Sequence, residues 1–442
     1  MPPSRAAALF AGAVVAGAAT PPTFIWSSYG ADPTTELTLT WGSASACAPA
    51  AEFGLTAAAL APAPASALTA EPPFLFDNAD GVQFISRARL TALPEGARIF
   101  YRVGCAGAPP AWSPVASASL LAPGAQPTVL LLGDMGRDGG EQSLPALEQE
   151  AAAAARGDAG AATFAAIAGD FAYDMHDEAG ARGARFLTRV SNFTASLPTM
   201  TTIGNHEQAS GNASHYTNLL GAGMPGPALG HWYAFEAGLI KFLMLSSEVY
   251  HMAPFTTATG LAVSAPAQLA WLNAELAAVN RSRTPWLVAV FHRPFYCSNA
   301  DGDECTSLPL NWPTNPLRVD LEPVFMRAGV DLCVEAHEHS VEIIYPLVNG
   351  VPTQRDFVAP RAPVHWVTGT AGCNEDSGLC QNPIVLPSNF TAEYLWGPEQ
   401  FGYTRMTARN ATVLHIEQIK VRPAVGVWAA IDIVQPNHGA FA

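Results

Sequence analysis

The tetrapeptide Gly204-Asn205-His206-Glu207 follows a short apolar run, Thr199-Met200-Thr201-Thr202-Ile203. An amide, an imidazole and a carboxylate on consecutive positions suit the carboxyl edge of a sheet, where open α/β folds place their chemistry, better than core packing. Four other apolar runs end alike. Gly133-Asp134-Met135-Gly136 follows the run from Thr128 to Leu132, and Gly169-Asp170-Phe171-Ala172-Tyr173 the run from Thr163 to Ala168. His292-Arg293-Pro294 follows the run from Trp286 to Phe291, and Ala336-His337-Glu338-His339 comes after Val330 to Val334. One Gly-Asp pair is a turn signal; five clusters in order, all at strand ends, read as a ligand set. Carboxylate, imidazole and amide donors without thiolate suit hard or borderline ions in octahedral-like geometry, not a structural zinc. One carboxylate can bridge two ions, and two metals roughly 3.5–4 Å apart clamp the attacking and leaving oxygens of a phosphoryl transfer.

The elements that must position these residues are legible as patterns. Residues 22–122 read as all-β, with alternation in Glu36 to Trp41, Phe84 to Leu90 and Ala97 to Val103 between Gly/Pro turns. That pattern predicts a β-sandwich like those of immunoglobulin and fibronectin type III domains. The Ala/Pro-rich segment from Ala57 to Ala70 reads as a loop insertion. From residue 126 to 442 short apolar runs alternate with helical stretches, the signature of βαβ units and buried strands. Ser143 is placed as the cap of a helix running to Ala155, and Ser264 as the start of another whose buried face carries Leu269, Leu272, Leu276 and Val279.

Bulk properties exclude several classes. Of 442 residues, 49% are apolar and 13% charged, which fits a folded protein. The net charge is −15 and only Lys241 and Lys420 are lysines, so no basic patch exists to bind nucleic acid. Residues 1–19 read as a secretory signal: Arg5, then an apolar stretch from Ala6 to Val15, then small residues at Ala16 to Ala19. No later run reaches 18 uninterrupted apolar residues, so no stable membrane insertion is expected. Acceptor sequons at Asn192, Asn212, Asn280, Asn389 and Asn410 agree with a secreted, extracellular or secretory-lumen location. The seven cysteines fit that compartment: Cys297/Cys305, Cys373/Cys380 and Cys47/Cys105 look like pairs, with Cys333 left over as a buried free thiol.

In this order the five clusters resemble the signature of the purple acid phosphatases, within the calcineurin-like metallophosphoesterase superfamily. The runs His292-Arg293-Pro294-Phe295-Tyr296-Cys297-Ser298-Asn299, Trp366 to Cys373 and Phe401 to Met406 point to the animal-type long form. The resemblance covers nearly the whole chain after residue 19. It implies a four-layer α/β catalytic domain, two mixed β-sheets flanked by helices, behind a fibronectin type III-like sandwich. It also implies Fe(III) held by Asp134, Asp170, Tyr173 and His339, and a divalent iron, zinc or manganese held by bridging Asp170, Asn205, His292 and His337. His206 would then stand beside the substrate. A phenol of reference pKa about 10 ligates only a strong Lewis acid, so Tyr173 points to ferric iron. Ferric plus divalent gives +5; two Asp, the phenolate and a hydroxide give −4, and the surplus attracts phosphate.

Departures from the family pattern are Ala289 where Val is usual, Ala336 where Gly is usual, and the absence of the His pair that plant members carry shortly after His292. Glu338 is expected to face away from the metals. His176, His215, His231, His251, His365, His415 and His438 lie outside the motifs. The function implied is a secreted acid phosphatase acting on phosphate monoesters through a metal-bound hydroxide. The alternatives are a phosphodiesterase or nucleotide pyrophosphatase on the same site, or a catalytically weak glycoprotein that binds partners through its sandwich.

Overall fold

The computed structural model describes residues 21–71, 74–75, 82–107, 110–137, 140–208, 213–257, 260–298, 314–373, 389–395 and 401–441. The N-terminal strands form two sheets. One has the order Phe24–Tyr29, Leu37–Ser43, Val82–Leu90 and Leu68–Ala70, with Phe74–Leu75 also paired to Val82–Leu90. The other has the order Ala116–Ser119, Arg98–Cys105, Pro49–Gly54 and Ala61–Pro62, with Ala111–Trp112 also paired to Arg98–Cys105. Period-two alternation turns Leu37, Leu39 and Trp41 from one sheet and Ile99, Tyr101 and Val103 from the other into a shared core. The Ala57 to Ala70 segment departs from the expected loop: two of its stretches pair as strands, one in each sheet. Backbone pairing needs only N–H and C=O groups, so alanine supports it without any pattern that composition would show.

The rest of the chain builds two mixed sheets. The six-stranded sheet runs Thr199–Thr202, Phe164–Ala168, Thr128–Leu132, Gly402–Asn410, Val413–Lys420 and Gly426–Val434. Its first three strands are parallel and the others antiparallel. The seven-stranded sheet runs Tyr233–Ala237, Ile240–Met244, Trp286–Val290, Leu332–Glu335, Val364–Thr368, Val341–Ile344 and Thr391–Leu395, with four adjacent strands parallel.

Both faces of each parallel strand are covered, which is why the runs are apolar throughout. Val129 and Leu131 point between the sheets with Val288, Val290 and Trp366. Leu130 and Leu132 point outward to Leu147 of helix Leu144–Arg156 and to Phe186 and Val190 of helix Ala181–Ser196. On the far side, Leu287 and Ala289 pack with Leu272 of helix Ala265–Ala277 and with Leu321 and Phe325 of helix Pro316–Ala328. The expected four layers are present.

Two helix ends behave differently. Ser264 caps as expected, its hydroxyl accepting the Ala267 N–H. Ser143 occupies the cap position but makes no capping hydrogen bond, because its backbone is already in the helical region. Only Leu272 of the expected apolar face in the first of these helices is fully buried; Leu269, Leu276 and Val279 are partly buried against the same core. Within the described residues no helix is long and apolar enough to cross a membrane.

The sandwich packs directly on the six-stranded sheet. Trp26 donates from its indole nitrogen to the Thr199 carbonyl at 2.9 Å and meets Phe171 edge-on at 6.4 Å. Cys47 and Cys105 are bonded across a separation of 58 residues. Cys297 and Cys373 each take part in a disulfide, and Cys305 and Cys380, the partners expected for them, lie outside the described residues. Cys333 is free and buried. Replacing Cys47 and Cys105 by Ser should remove about 2–4 kcal/mol of stability, since the bridge restricts the unfolded chain. A urea melt would read this as a lower midpoint, and an unchanged midpoint would show the bridge to be dispensable.

Candidate active site

The carboxyl ends of the parallel strands of both sheets meet at one edge. From the six-stranded sheet come Asp134, Asp170 and Asn205; from the seven-stranded sheet come His292, His337 and His339. Four residues turn there in the left-handed region: Asp134 (φ 58°), Asp170 (53°), Tyr173 (39°) and His337 (71°). Each such turn costs on the order of 1–3 kcal/mol in a non-glycine residue, and such residues cluster at functional sites. Together they fold the chain back so that side chains point along the sheet edge. Gly204 has no Cβ for a local reason: one built there would overlap the Asp170 carboxylate.

Two groups of donor atoms form. In the first, Tyr173 Oη lies 2.9 Å from Asp134 Oδ1 and 2.8 Å from His339 Nε2, with His339 Nε2 3.5 Å from Asp134 Oδ1. In the second, His292 Nε2 lies 2.9 Å from Asn205 Oδ1, 3.2 Å from Asp170 Oδ2 and 3.2 Å from His337 Nδ1. His337 links the groups, donating its backbone N–H to Asp134 Oδ2 at 2.9 Å. All seven residues expected as ligands therefore fall into these groups. Asp170 lies with the second group.

The donor chemistry fits cations. His292 Nδ1 is 2.7 Å from the Ala168 carbonyl, which can only accept, so the neutral ring keeps its lone pair on Nε2. That lone pair faces an amide oxygen, a carboxylate oxygen and a second imidazole. Electron-rich atoms this close repel unless positive charge lies among them. With bonds near 2.1 Å, neighbouring ligands of an octahedral ion are about 3.0 Å apart, close to the spacings found.

Without metal, protons answer the same need. Burial opposes charge on Asp170, yet the facing His292 and His206 hold its carboxyl far below the usual range. Burial opposes charge on His292 as well, but the Asp170 carboxylate keeps that imidazole above its ordinary value.

His206 stands against the first group, its ring 4.2 Å from that of Tyr173. Its Nδ1 lies 2.7 Å from Asp174 Oδ1, and its backbone N–H donates to Asp170 Oδ1 at 3.0 Å. Burial disfavours its cation, but Asp170 and the Asp174 hydrogen bond outweigh that and push its pKa up to about 9. Asp174 was missed by the motif reading. The available signal was a carboxylate directly after Tyr173, at a site otherwise counted only for ligands.

Glu207 supports the site from outside the ligand set. Its buried carboxylate accepts three backbone N–H groups: Asp170 at 2.8 Å, Phe171 at 2.9 Å and Gly204 at 2.9 Å. It ties the second strand end to the third and sets the left-handed turn at Asp170. Burial, with Asp170 nearby, pushes its own pKa up to about 7. Glu338 is buried with its carboxylate 3.7 Å from Cys297 Sγ, away from the donor groups as expected. Ala336 places its Cβ where a side chain at Gly133 would otherwise go, so the departure at 336 is accommodated by the glycine facing it. Glu207→Ala should lower metal affinity and turnover roughly 10–100-fold, as loss of a ligand's support does, with Glu207→Gln falling between the variant and the parent. Metal titration with matched kinetics would measure this; an Ala variant equal to the parent would remove Glu207 from the site.

Comparison with known proteins agrees with this geometry. A family model described as calcineurin-like phosphoesterase matches residues 127–341, and one described as iron/zinc purple acid phosphatase-like protein C matches residues 362–426. Acid phosphatase type 7 of Danio rerio is 32% identical over 422 residues, covering 91% of this chain and 89% of its own. The protein of the same name from Mus musculus is 33% identical, with 80% and 78% covered. Among solved structures, a purple acid phosphatase from yellow lupin (Lupinus luteus) seeds shares the fold with a TM-score of 0.75 at 18% identity, covering 94% of this chain and 75% of that one. With strand ends, donor groups and both halves of the catalytic unit in agreement, this chain belongs to the purple acid phosphatases, an iron/zinc dimetal family of calcineurin-like phosphoesterases.

Proposed function

We propose that the protein is a secreted acid phosphatase that hydrolyses phosphate monoesters at an Fe(III)–M(II) centre, M being iron, zinc or manganese. The observation that carries this reading is the pair of donor groups on one sheet edge, with the His206–Asp174 pair beside them. Asp134, Tyr173 and His339, with Asp170 as bridge, would hold the ferric ion. Asp170, Asn205, His292 and His337 would hold the divalent one. When bound, the two ions supply Lewis acidity toward the phosphoryl oxygens and lower the pKa of a water to make it a nucleophile.

The chain's own residues divide the remaining work. Asn205 contributes a neutral donor, which leaves the centre with the positive surplus that draws a phosphate into a protein of net charge −15. Asp174 accepts from His206 Nδ1 and so orients the ring. His206 Nε2, which makes no hydrogen bond among the described residues, is then the atom that holds a phosphate oxygen or passes a proton to the leaving alcohol. Without metal, and despite burial, Asp170 and Asp174 raise the pKa of that ring above the ordinary imidazole value; with Asp170 committed to metal, Asp174 is the partner left to favour the protonated form.

Secretion draws on the signal-like residues 1–19, the Cys47–Cys105 bridge and the acceptor sequons. Asn192, Asn280, Asn389 and Asn410 are exposed, while Asn212 lies outside the described residues. At Asn280 and Asn410 the amide oxygen accepts both the N–H and the hydroxyl of the residue two positions on, leaving the amide nitrogen toward solvent.

Asp170→Asn should abolish hydrolysis of an aryl phosphate and strip metal from the protein; normal turnover in that variant would overturn the reading. Tyr173→Phe should bleach the tyrosinate-to-iron visible band, and an unchanged spectrum would remove Tyr173 as a ligand. His206→Ala should cost about 10²–10⁴ in kcat, the usual worth of a positioned acid. Asp174→Asn lowers the pKa of the acid it supports, so the alkaline limb of the pH–rate profile should move to lower pH. A stationary limb would exclude His206 as the proton donor. Side-by-side rates on an aryl phosphate monoester and the matching diester test the substrate class: a faster diester would replace the monoesterase reading.

A further inference from the structure

A second cluster of ligand-type side chains lies on the opposite face of the seven-stranded sheet from the inter-sheet core, among the residues that pack under helix Pro316–Ala328. Cys333, Glu335 and His365 are at most 1% exposed, and their donor atoms all lie within 4.8 Å of one another. Strand register brings them together: Cys333 pairs directly with His365, and Glu335 follows on the same face two positions along. His365 Nδ1 lies 3.0 Å from Glu335 Oε1, which also accepts the Phe295 N–H at 3.0 Å. Glu335 Oε2 is buried with no hydrogen-bond partner. The rings of Phe295 and Tyr296 stand 5.6 Å and 5.2 Å from that of His365, and the buried carboxyls of Glu322 and Glu342 are near enough to act on Cys333 and Glu335 respectively.

An orphaned, buried carboxylate oxygen leaves the desolvation of that group uncompensated, the more so if it is charged. We propose that Cys333, Glu335 and His365 hold one divalent ion of zinc type, separate from the dimetal centre. A thiolate, an imidazole and a carboxylate that chelates through both oxygens supply four donors, the number a closed zinc site takes. The charges of the ligands also cancel: a dication, a thiolate, a carboxylate and a neutral imidazole sum to zero, which limits the cost of burying them. In a distorted tetrahedral site with bonds of about 2.3 Å to sulfur and 2.0–2.1 Å to nitrogen, the sulfur and the nitrogen stand about 3.6 Å apart, inside the span found, while the two carboxylate oxygens sit closer together. Uptake releases the thiol proton to solvent, since burial holds the metal-free Cys333 protonated. Because the site is closed, the ion enters while the chain folds and pins strand Leu332–Glu335 to Val364–Thr368, just behind His337.

The test uses the full chain expressed with zinc or with cobalt as the supplied divalent metal. The zinc-grown parent should carry one metal equivalent more than Cys333→Val, whose side chain fills the same space without a donor. The cobalt-grown parent should show a thiolate-to-cobalt charge-transfer band in the near ultraviolet, absent from Cys333→Val. The dimetal centre has no thiolate, so that band reports the new site and is independent of whether the protein hydrolyses phosphate esters. Equal metal content in parent and variant, or no such band in the cobalt-grown parent, would reduce the cluster to a buried Glu–His hydrogen bond beside a spectator thiol. Should the variant not fold, the parent's cobalt spectrum decides alone.

Discussion

The carboxyl edges of two separate sheets must coincide for this site to exist, and apolar packing between the sheets makes them coincide. Val129 and Leu131 meet Val288 and Val290 in one core, and each strand then ends within reach of the others. Asp134, Asp170 and Asn205 come from one side of that seam; His292, His337 and His339 come from the other. Neither sheet alone supplies a complete donor group, so a shift between them would separate donors that now stand 2.8–3.5 Å apart. Interiors packed to crystal-like density resist such a shift.

Around this frame the site is assembled from costs that the fold offsets elsewhere. Four left-handed non-glycine residues and a set of mutually repelling donors oppose folding of the edge. Glu207 answers with three charge-assisted hydrogen bonds to backbone N–H groups, and His292 is fixed by the Ala168 carbonyl. Cations in the donor groups would relieve the repulsion, and their bonds to these side chains would offset the backbone strain, which persists. Metal binding and local folding at this edge are therefore coupled.

The sandwich takes part in the same frame. Trp26 reaches from its first strand to the Thr199 carbonyl and to Phe171, the residue after Asp170. It carries no donor to the site, yet it backs the turn at Asp170 through Phe171 and holds the start of the strand that leads to Asn205. This gives the N-terminal sheets a mechanical reason to accompany the catalytic unit.

Much of this was legible without coordinates. Five apolar runs, each ending in ligand-type residues, determine a parallel-strand architecture with chemistry at one edge, because buried strands and metal donors demand different residue types and the change of type marks the strand end. Assigning Tyr173 to a ferric ion needed the family resemblance, because a tyrosine near a strand end has no such meaning by itself. Tertiary structure decided what distance along the chain conceals. Glu207 touches Asp170 from 37 positions away, and Asp174 touches His206 from 32. Cys333 and Glu335 meet His365 only through strand register. The Ala/Pro stretch after Ala57 became sandwich strands because partners, not side chains, selected its pairing. Periodicity reports what a residue does to its own segment; a supporting carboxylate or a cross-strand donor acts on another segment, and only the packed chain shows which one.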